Sequence, residues 1–323
     1  MMKILIIGGG VAALEAAIAA RKANADCEIE ILSAEALMPY RRPALSMFLR
    51  GTPVTDKSLY LKDEAFFRDN KITLRLNTGV SSVADHEVVL ADGSRESFDK
   101  LIIATGAVAN VPPVAGAEDK TRVYTLRSWT DLQRIDERIK AGLSNAVVIG
   151  GSVLGMEIAD ALLARGVKVT VLERASRLFN GRLDEEKEKE VFAVFSTIDG
   201  LDFITGCSVE AITADGVRTA DGKVFASEVV IFAAGCTPDV KFAASCGVEI
   251  KRGITVDEQM RTSVKDIYAC GDAAQLGERC FGLFNEAKSS GVVAGSNAAG
   301  AEKVFEVSAV PIRCYTLGLK LLV

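Results

Sequence analysis

Gly8, Gly10 and Ala13 stand at Gly-x-Gly-x-x-Ala spacing directly after the apolar run Ile4-Leu5-Ile6-Ile7. Those residue types at that spacing suit the binding of a pyrophosphate. Gly8 permits a tight turn, Gly10 lets a phosphate approach the backbone, and Ala13 lets a helix pack close to a strand. The free N–H groups and positive end of the following helix then attract the anion. One such motif alone is weak evidence, because a bare Gly-rich turn between strand and helix can show it too. A second copy decides the matter: Ala146-Val147-Val148-Ile149-Gly150-Gly151-Ser152-Val153-Leu154-Gly155. Gly150 and Gly155 hold the first and third glycine places. Ser152 holds the second, a departure that loosens phosphate approach. Glu35, beyond Glu28–Leu32, and Glu173, beyond Val167–Leu172, are acids placed to take ribose hydroxyls. Two copies in 323 residues point to two bound dinucleotides.

Other chemistries find little support. His86 is the only histidine, in the hairpin-turn context Ala84-Asp85-His86-Glu87, so histidine-centred triads and Cys/His relays are excluded. The seven cysteines, Cys27, Cys207, Cys236, Cys246, Cys270, Cys280 and Cys314, are scattered, with no pair at C-x-x-C or C-x-x-x-x-C spacing. They read as packing residues in a reducing cytoplasm, and no iron–sulfur or zinc site is expected. The net charge of −5 provides no broad basic field for nucleic acid.

These residues need elements to hold them. Ile4–Ile7 reads as a buried parallel strand and Ala12–Ala20 as the helix after the turn. Lys3 before an apolar run imitates a signal peptide, but Glu15 and the Gly turn interrupt that run. No stretch approaches the ~18 apolar residues of a membrane span. Met38-Pro39-Tyr40-Arg41-Arg42-Pro43-Ala44-Leu45-Ser46 reads as a loop lining a site, or else a solvated basic turn, followed by a short helix ended by Gly51. Asp63–Asn70 is an amphipathic helix and Ile72–Leu76 a strand. Val80–Ala91 and Phe98–Ala104 form a small meander that ends in Leu101-Ile102-Ile103-Ala104-Thr105-Gly106. Val229-Val230-Ile231-Phe232-Ala233-Ala234-Gly235 is a near copy of that ending, preceded by a hairpin over Val209–Ala226. Each half thus repeats a Gly-rich turn, a hairpin excursion and an apolar strand ending in Gly, at a period of roughly 130 to 140 residues.

Pro112-Pro113 with Gly116 marks one domain crossing, and Pro238 marks another. Ser128–Ala141 is an amphipathic helix and Ile254–Asp257 a strand. Ile267–Ala274 reads as strand, Gly turn and acid, with Gly271 and Asp272 at the turn. Glu286–Ala299 is a small-residue helix whose Gly291 and Gly295 suit close packing under a ligand. The apolar tail Ala309–Val323 carries Arg313 and Lys320. The length suits two domains, and 49% hydrophobic with 25% charged residues is a globular balance.

In this order, Gly8-x-Gly10, Ala104-Thr105-Gly106, Gly150-Gly151-Ser152-x-x-Gly155-x-Glu157, Ala234-Gly235-x-x-Pro238 and Gly271-Asp272 resemble the pyridine nucleotide–disulfide oxidoreductase superfamily of flavoprotein reductases. Pro39-Tyr40-x-Arg42-Pro43-x-Leu45-Ser46 is similar to the NADH-dependent rubredoxin and ferredoxin reductases and to the flavin part of NADH-dependent nitrite reductases. The resemblance runs from residue 1 to about residue 315. It implies an α/β chain with two Rossmann-like FAD/NAD(P)-binding domains, the NADH domain (111–239) inserted into an FAD domain (1–110 and 240–323). It implies that Gly8, Gly10, Ala13 and Glu35 hold the FAD pyrophosphate and ribose, and that Val80 presents backbone to the adenine. Arg42, Pro43, Thr105, Gly106 and Arg127 would line the flavin, Asp272 would hold the ribityl chain or, through water, the pyrophosphate, and Gly235 and Gly271 would be further cofactor-binding positions. Gly150, Ser152, Val153, Leu154, Gly155 and Glu173 would hold NADH, with Glu157 as the catalytic side chain beside the nicotinamide. The plainer alternative for Val80 is core, and for Arg42 and Arg127 surface charge.

Three departures qualify the resemblance. The redox disulfide is missing. Ala44–Ser46 occupies the place where relatives carry a single flavin-side cysteine, which removes sulfenic-acid chemistry. Met47 stands where many relatives have Lys. Relatives also continue for roughly another hundred residues as a C-terminal interface domain, so the alternatives are that the usual dimer contact is absent or that the tail is an interface to a different partner, and the oligomeric state stays open. The reading that follows is a cytoplasmic, NADH-dependent FAD oxidoreductase that passes electrons to a small iron or iron–sulfur protein or a redox subunit. It has no membrane span and no nucleic-acid partner. The alternatives are an NADH-input flavin subunit of a larger complex, and an NADH oxidase producing hydrogen peroxide.

Overall fold

Ile4, Leu5, Ile6 and Ile7 are at most 5% exposed, as a strand with neighbours on both edges and cover on both faces requires. In a computed structural model, which describes residues 1–84, 86–306 and 313–323, they form the centre of a five-stranded parallel sheet. Its order is Ile72–Arg75, Glu28–Leu32, Lys3–Ile7, Lys100–Ile103, Ile267–Ala269. The strand Lys100–Ile103, expected to close the meander, leaves it for this sheet. The meander itself is Val80–Ala84, Glu87–Leu90 and Arg95–Ser97. At the first hairpin turn His86 has φ +61°, and Asp85 lies outside the described residues.

The helix Val11–Ala23 packs against the helix Phe284–Ala298. A Cβ added at Gly291 would run into the carbonyl of Ala12, and one at Gly295 into that of Ala16. The glycines of the last helix are therefore occupied by helix-on-helix approach, where the sequence suggests packing under a ligand. The sequence shows the small residues but not which surface they meet.

A second parallel sheet has the order Leu201–Ile204, Lys168–Leu172, Asn145–Ile149, Val229–Phe232, Val123–Thr125. Strand for strand this matches the first sheet. The difference is the fifth strand, which comes late in the chain in the first sheet and just ahead of the Gly-turn strand Asn145–Ile149 in the second. The helix Trp129–Lys140 starts at a reciprocal cap between Ser128 and Asp131, and the helix Val153–Leu163 starts at Ser152. An antiparallel excursion, Val209–Thr213, Gly216–Thr219 and Val224–Ala226, matches the first meander.

The chain divides into two compact units. One comprises Met1–Arg41, Thr55–Val108 and Thr237–Ala309, the other Arg42–Val54, Ala109–Cys236 and Val310–Val323. The crossing near Pro112-Pro113 falls at Val108/Ala109, and that near Pro238 falls at Cys236/Thr237. Residues 42–54, assigned from sequence to the first segment, group with the second unit. Of the tail expected over Ala309–Val323, residues 309–312 lie outside the described residues. Arg313–Thr316 and Leu319–Leu322 form a hairpin, and Thr316 Oγ1 donates to the Met156 carbonyl at 2.8 Å. Among the described residues no helix is long and apolar enough to cross a membrane.

Candidate functional site

In the first unit the chain turns at Gly8, with φ +127°. Its N–H donates to the Leu32 carbonyl at 2.8 Å, and a Cβ here would strike the Ala104 carbonyl, so only glycine fits. Ala13 is fully buried. Gly10 caps the helix Val11–Ala23 without a side-chain bond to its N–H groups, and no atom lies within 4 Å of where its Cβ would stand. Uncapped N–H groups facing open space are what a phosphate needs, so this turn fits the pyrophosphate of a dinucleotide.

The second unit repeats the backbone bonds of this turn. Gly150, φ +118°, donates to the Leu172 carbonyl at 2.9 Å, and its Cβ would meet the Ala233 carbonyl at 2.5 Å. Ala104 donates to Ile7 and Ala233 to Ile149, each at 2.8 Å. Thr78 donates to the Ser33 carbonyl and Cys207 to that of Glu173, at 2.7 and 2.9 Å. Here Ser152 is a true cap: its Oγ accepts the Gly155 N–H at 3.4 Å and donates to Ala233 O at 3.3 Å. Val153 and Leu154 open the helix, and Leu154 is exposed. A Cβ on Gly155 would strike the Gly150 carbonyl, which fixes the helix close to the turn.

This matching also shows where each of the two acids stands in the repeat. Glu173 directly follows Leu172, and its oxygens accept the N–H groups of Gly151 at 2.6 Å and Ala175 at 2.7 Å. The residue that directly follows Leu32 is Ser33, fully buried; Glu35 lies two positions beyond and accepts the Tyr40 hydroxyl at 2.8 Å. The two acids thus occupy different places in the repeat. Aligning the strand ends, Leu32-Ser33 with Leu172-Glu173, would have exposed this in the sequence. Ser33 is a residue that a search for acids passes over, and Tyr40 belongs to the loop that the sequence places at a site.

Thr105 Oγ1 donates to the Asp239 carbonyl at 2.7 Å, and the Asp239 N–H returns to the carbonyl of Gly106, whose φ is +79°. Gly235, the counterpart of Gly106 with φ +80°, accepts the Asn110 N–H at 3.0 Å within the second unit. Asp272, half-buried, follows Gly271 in the one-turn helix Gly271–Ala273. Gly271, φ +65°, donates to the buried Ser290 Oγ at 2.9 Å, so the turn that presents Asp272 is anchored from the last helix. Val80 begins its strand opposite Leu90, beside a register slip, and packs partly against the core of the first unit.

The remaining candidates collect in the second unit. Arg42, in the short turn Arg42–Ala44 with Pro43, donates from Nη1 to the Arg127 carbonyl at 3.0 Å. The Arg127 N–H donates to Asp131 at 2.8 Å. Both arginines are half-buried; the guanidinium of Arg42 is engaged, and both of these Arg127 bonds are made by its backbone. Ser46, the end of the loop that the sequence places at a site, donates its hydroxyl to Glu157 Oε2 at 2.8 Å. Burial is the main cause that raises the Glu157 carboxyl above its usual range; the Ser46 bond opposes the rise and the nearby Asp160 adds to it. None of the seven cysteines, all among the described residues, forms a disulfide. Burial pushes the thiols of Cys246 up to about 11 and of Cys270 and Cys314 up to about 12.

Two parallel sheets of one strand order, each with the same Gly turn at its centre, define an α/β protein built on two dinucleotide-type folds. The chain belongs to the pyridine nucleotide-disulphide oxidoreductase family, whose model matches residues 2–298. It is 32% identical over 288 residues to a rubredoxin-NAD(+) reductase of Pseudomonas putida, covering 87% of this chain and 74% of that one. It is 30% identical over 325 residues to the epsilon subunit of an NADH-dependent phenylglyoxylate dehydrogenase of Aromatoleum evansii, covering 97% of this chain and 76% of the subunit. Among solved structures, a NAD-dependent persulfide reductase from A. fulgidus matches with a TM-score of 0.90 at 29% identity, over 98% of this chain and 62% of that one.

Proposed function

We propose that this chain is an FAD-dependent oxidoreductase that takes a hydride from NADH and passes electrons to a protein acceptor, such as a small iron or iron–sulfur protein. The observation that carries the reading is the repeat of the backbone bonds at the Gly8 and Gly150 turns, which supports two dinucleotide sites in one chain. Bound FAD would supply the redox chemistry, accepting two electrons together and releasing them singly. The residues do the rest. The first turn, with Gly8, Gly10 and Ala13, would hold the FAD pyrophosphate. Ser33 and Glu35 would meet the adenosine ribose, and Val80 the adenine. Thr105, Gly106, Gly271 and Asp272 would bind the remainder of the same cofactor. Gly150, Ser152, Val153, Leu154, Gly155 and Glu173 would hold NADH, with Glu157 facing its nicotinamide. Arg42, Pro43, Arg127 and Gly235 would line the ring systems. The first unit would then be the FAD domain and the second the NADH domain.

The seven cysteines without redox spacing support a cytoplasmic setting. A second reading, an NADH-input subunit of a larger redox complex, is favoured by the match to a dehydrogenase epsilon subunit along 97% of the chain. Co-purification separates the two. A chain that reduces a one-electron dye with NADH on its own acts as a free reductase. One that does so only with a co-purifying subunit belongs to a complex.

A further inference from the structure

Glu157 stands half-buried on the helix Val153–Leu163, and its one hydrogen-bond donor given by the structure is the Ser46 hydroxyl, at 2.8 Å from the helix Leu45–Leu49 of the same unit. A hydroxyl is a neutral donor and offsets a carboxylate charge less than an ammonium or guanidinium does. Among the described side chains, the other groups around it add no positive charge at Glu157. Arg50, which ends the Ser46 helix, is engaged with Asp160 at 3.1 Å. The strand Arg313–Thr316, packed on the same helix, places Cys314 there as a neutral thiol. The strand Asn145–Ile149 has no titratable side chain, and Lys168, the one on Lys168–Leu172, is exposed. Glu157 is the fifth residue of its helix, beyond the first turn in which the positive helix end favours an anion.

We propose that the Ser46–Glu157 pair is a charge discriminator between the oxidised and reduced nicotinamide: the neutral carboxyl lets NAD+ go, and the ionised one retains it. The inference rests on the NADH reading above. The nicotinamide ring is cationic in NAD+ and uncharged in NADH, so only the oxidised form gains from a carboxylate beside it. Because the folded carboxyl titrates above the ordinary range, the neutral form persists to higher pH than a solvated glutamate would allow. NAD+ is then held weakly below the Glu157 midpoint and more tightly above it, while NADH is indifferent. Ser46 is the positioning residue, since its bond to Oε2 favours the ionised form and keeps the midpoint from rising further.

The test uses the full chain with its glutamate carboxyls labelled with carbon-13, and Glu157→Gln to identify the resonance. Without nucleotide, the Glu157 midpoint should lie above 4.5, its ordinary value. It should move higher in Ser46→Ala and stay at the wild-type value in Ser46→Thr, which keeps the hydroxyl. Across that midpoint the Kd for NAD+ should fall at least about threefold with rising pH, and the Kd for NADH should stay level. Both should be level in Glu157→Gln. A midpoint at or below 4.5 overturns the proposal, as does a flat NAD+ affinity in a chain that binds NADH. Binding of neither nucleotide overturns the NADH reading as well, which distinguishes the two failures.

Discussion

Glu173 Oε2 accepts the Gly151 N–H at 2.6 Å, which ties the end of one strand to the Gly turn of its neighbour. The carboxylate is thereby fixed at the turn, with lone pairs left for ribose hydroxyls. A 2′-phosphate brought to the same place meets this fixed negative charge. NADH should therefore be preferred over NADPH by at least about tenfold in kcat/KM, or ~1.4 kcal/mol. Arg174 and Arg177 follow in sequence, but Arg177 is engaged with Glu188 at 2.7 Å. Flavin reduction rates with each nucleotide give the ratio; equal rates, or faster reduction by NADPH, contradict the role of Glu173. Glu173→Ala should narrow the gap through weaker NADH binding.

Gly10→Ala should separate binding from folding. The Cβ enters open space at a φ of −92°, so the melting temperature should stay within a few degrees of wild type, while FAD retention should fall because the methyl stands where a phosphate would sit. Gly8→Ala should do worse on both counts, since its Cβ meets the Ala104 carbonyl at a positive φ. Thermal melts beside flavin content measure the contrast. A Gly10→Ala chain that keeps its flavin as well as wild type would count against the phosphate site.

Gly295→Ala should destabilise the first unit by about 1–3 kcal/mol or more, because the helices Val11–Ala23 and Phe284–Ala298 must move apart. Denaturant unfolding reads this directly. A neutral outcome would mean that the two helices do not approach as closely as described.

Cys270 and Cys314 are buried, with thiols pushed up to about 12, so almost no thiolate exists at pH 8. Alkylation of the folded chain should label both far more slowly than the unfolded chain. Replacing all seven cysteines should leave flavin reduction by NADH largely intact, apart from stability losses on the order of 1 kcal/mol each. A single cysteine needed for electron transfer, with FAD still bound, contradicts this.

The local parts of the fold were legible in the sequence because they depend on neighbours. Gly8 and Gly150 announce turns that no Cβ tolerates, and the runs Ile4–Ile7 and Val229–Phe232 announce buried parallel strands. What stayed hidden depends on contacts between distant residues. Ser46 and Glu157 are 111 positions apart, and nothing in either segment shows that they meet. Residues 42–54 follow the first unit's elements in sequence yet group with the second. The place of Ser33 was readable, but only by aligning the two strand ends rather than looking for the next acid. Gly291 and Gly295 show that the last helix packs tightly, without showing that its neighbour is the first helix.

The central claim is that one chain holds FAD and reduces it with NADH. The measurement is the absorbance of the purified chain, reconstituted with FAD and freed of excess, before and after anaerobic addition of NADH. The account predicts a flavin spectrum at about one FAD per chain, released on denaturation and bleached by NADH. A folded chain that takes up no FAD, or a bound flavin that NADH leaves oxidised, would contradict it.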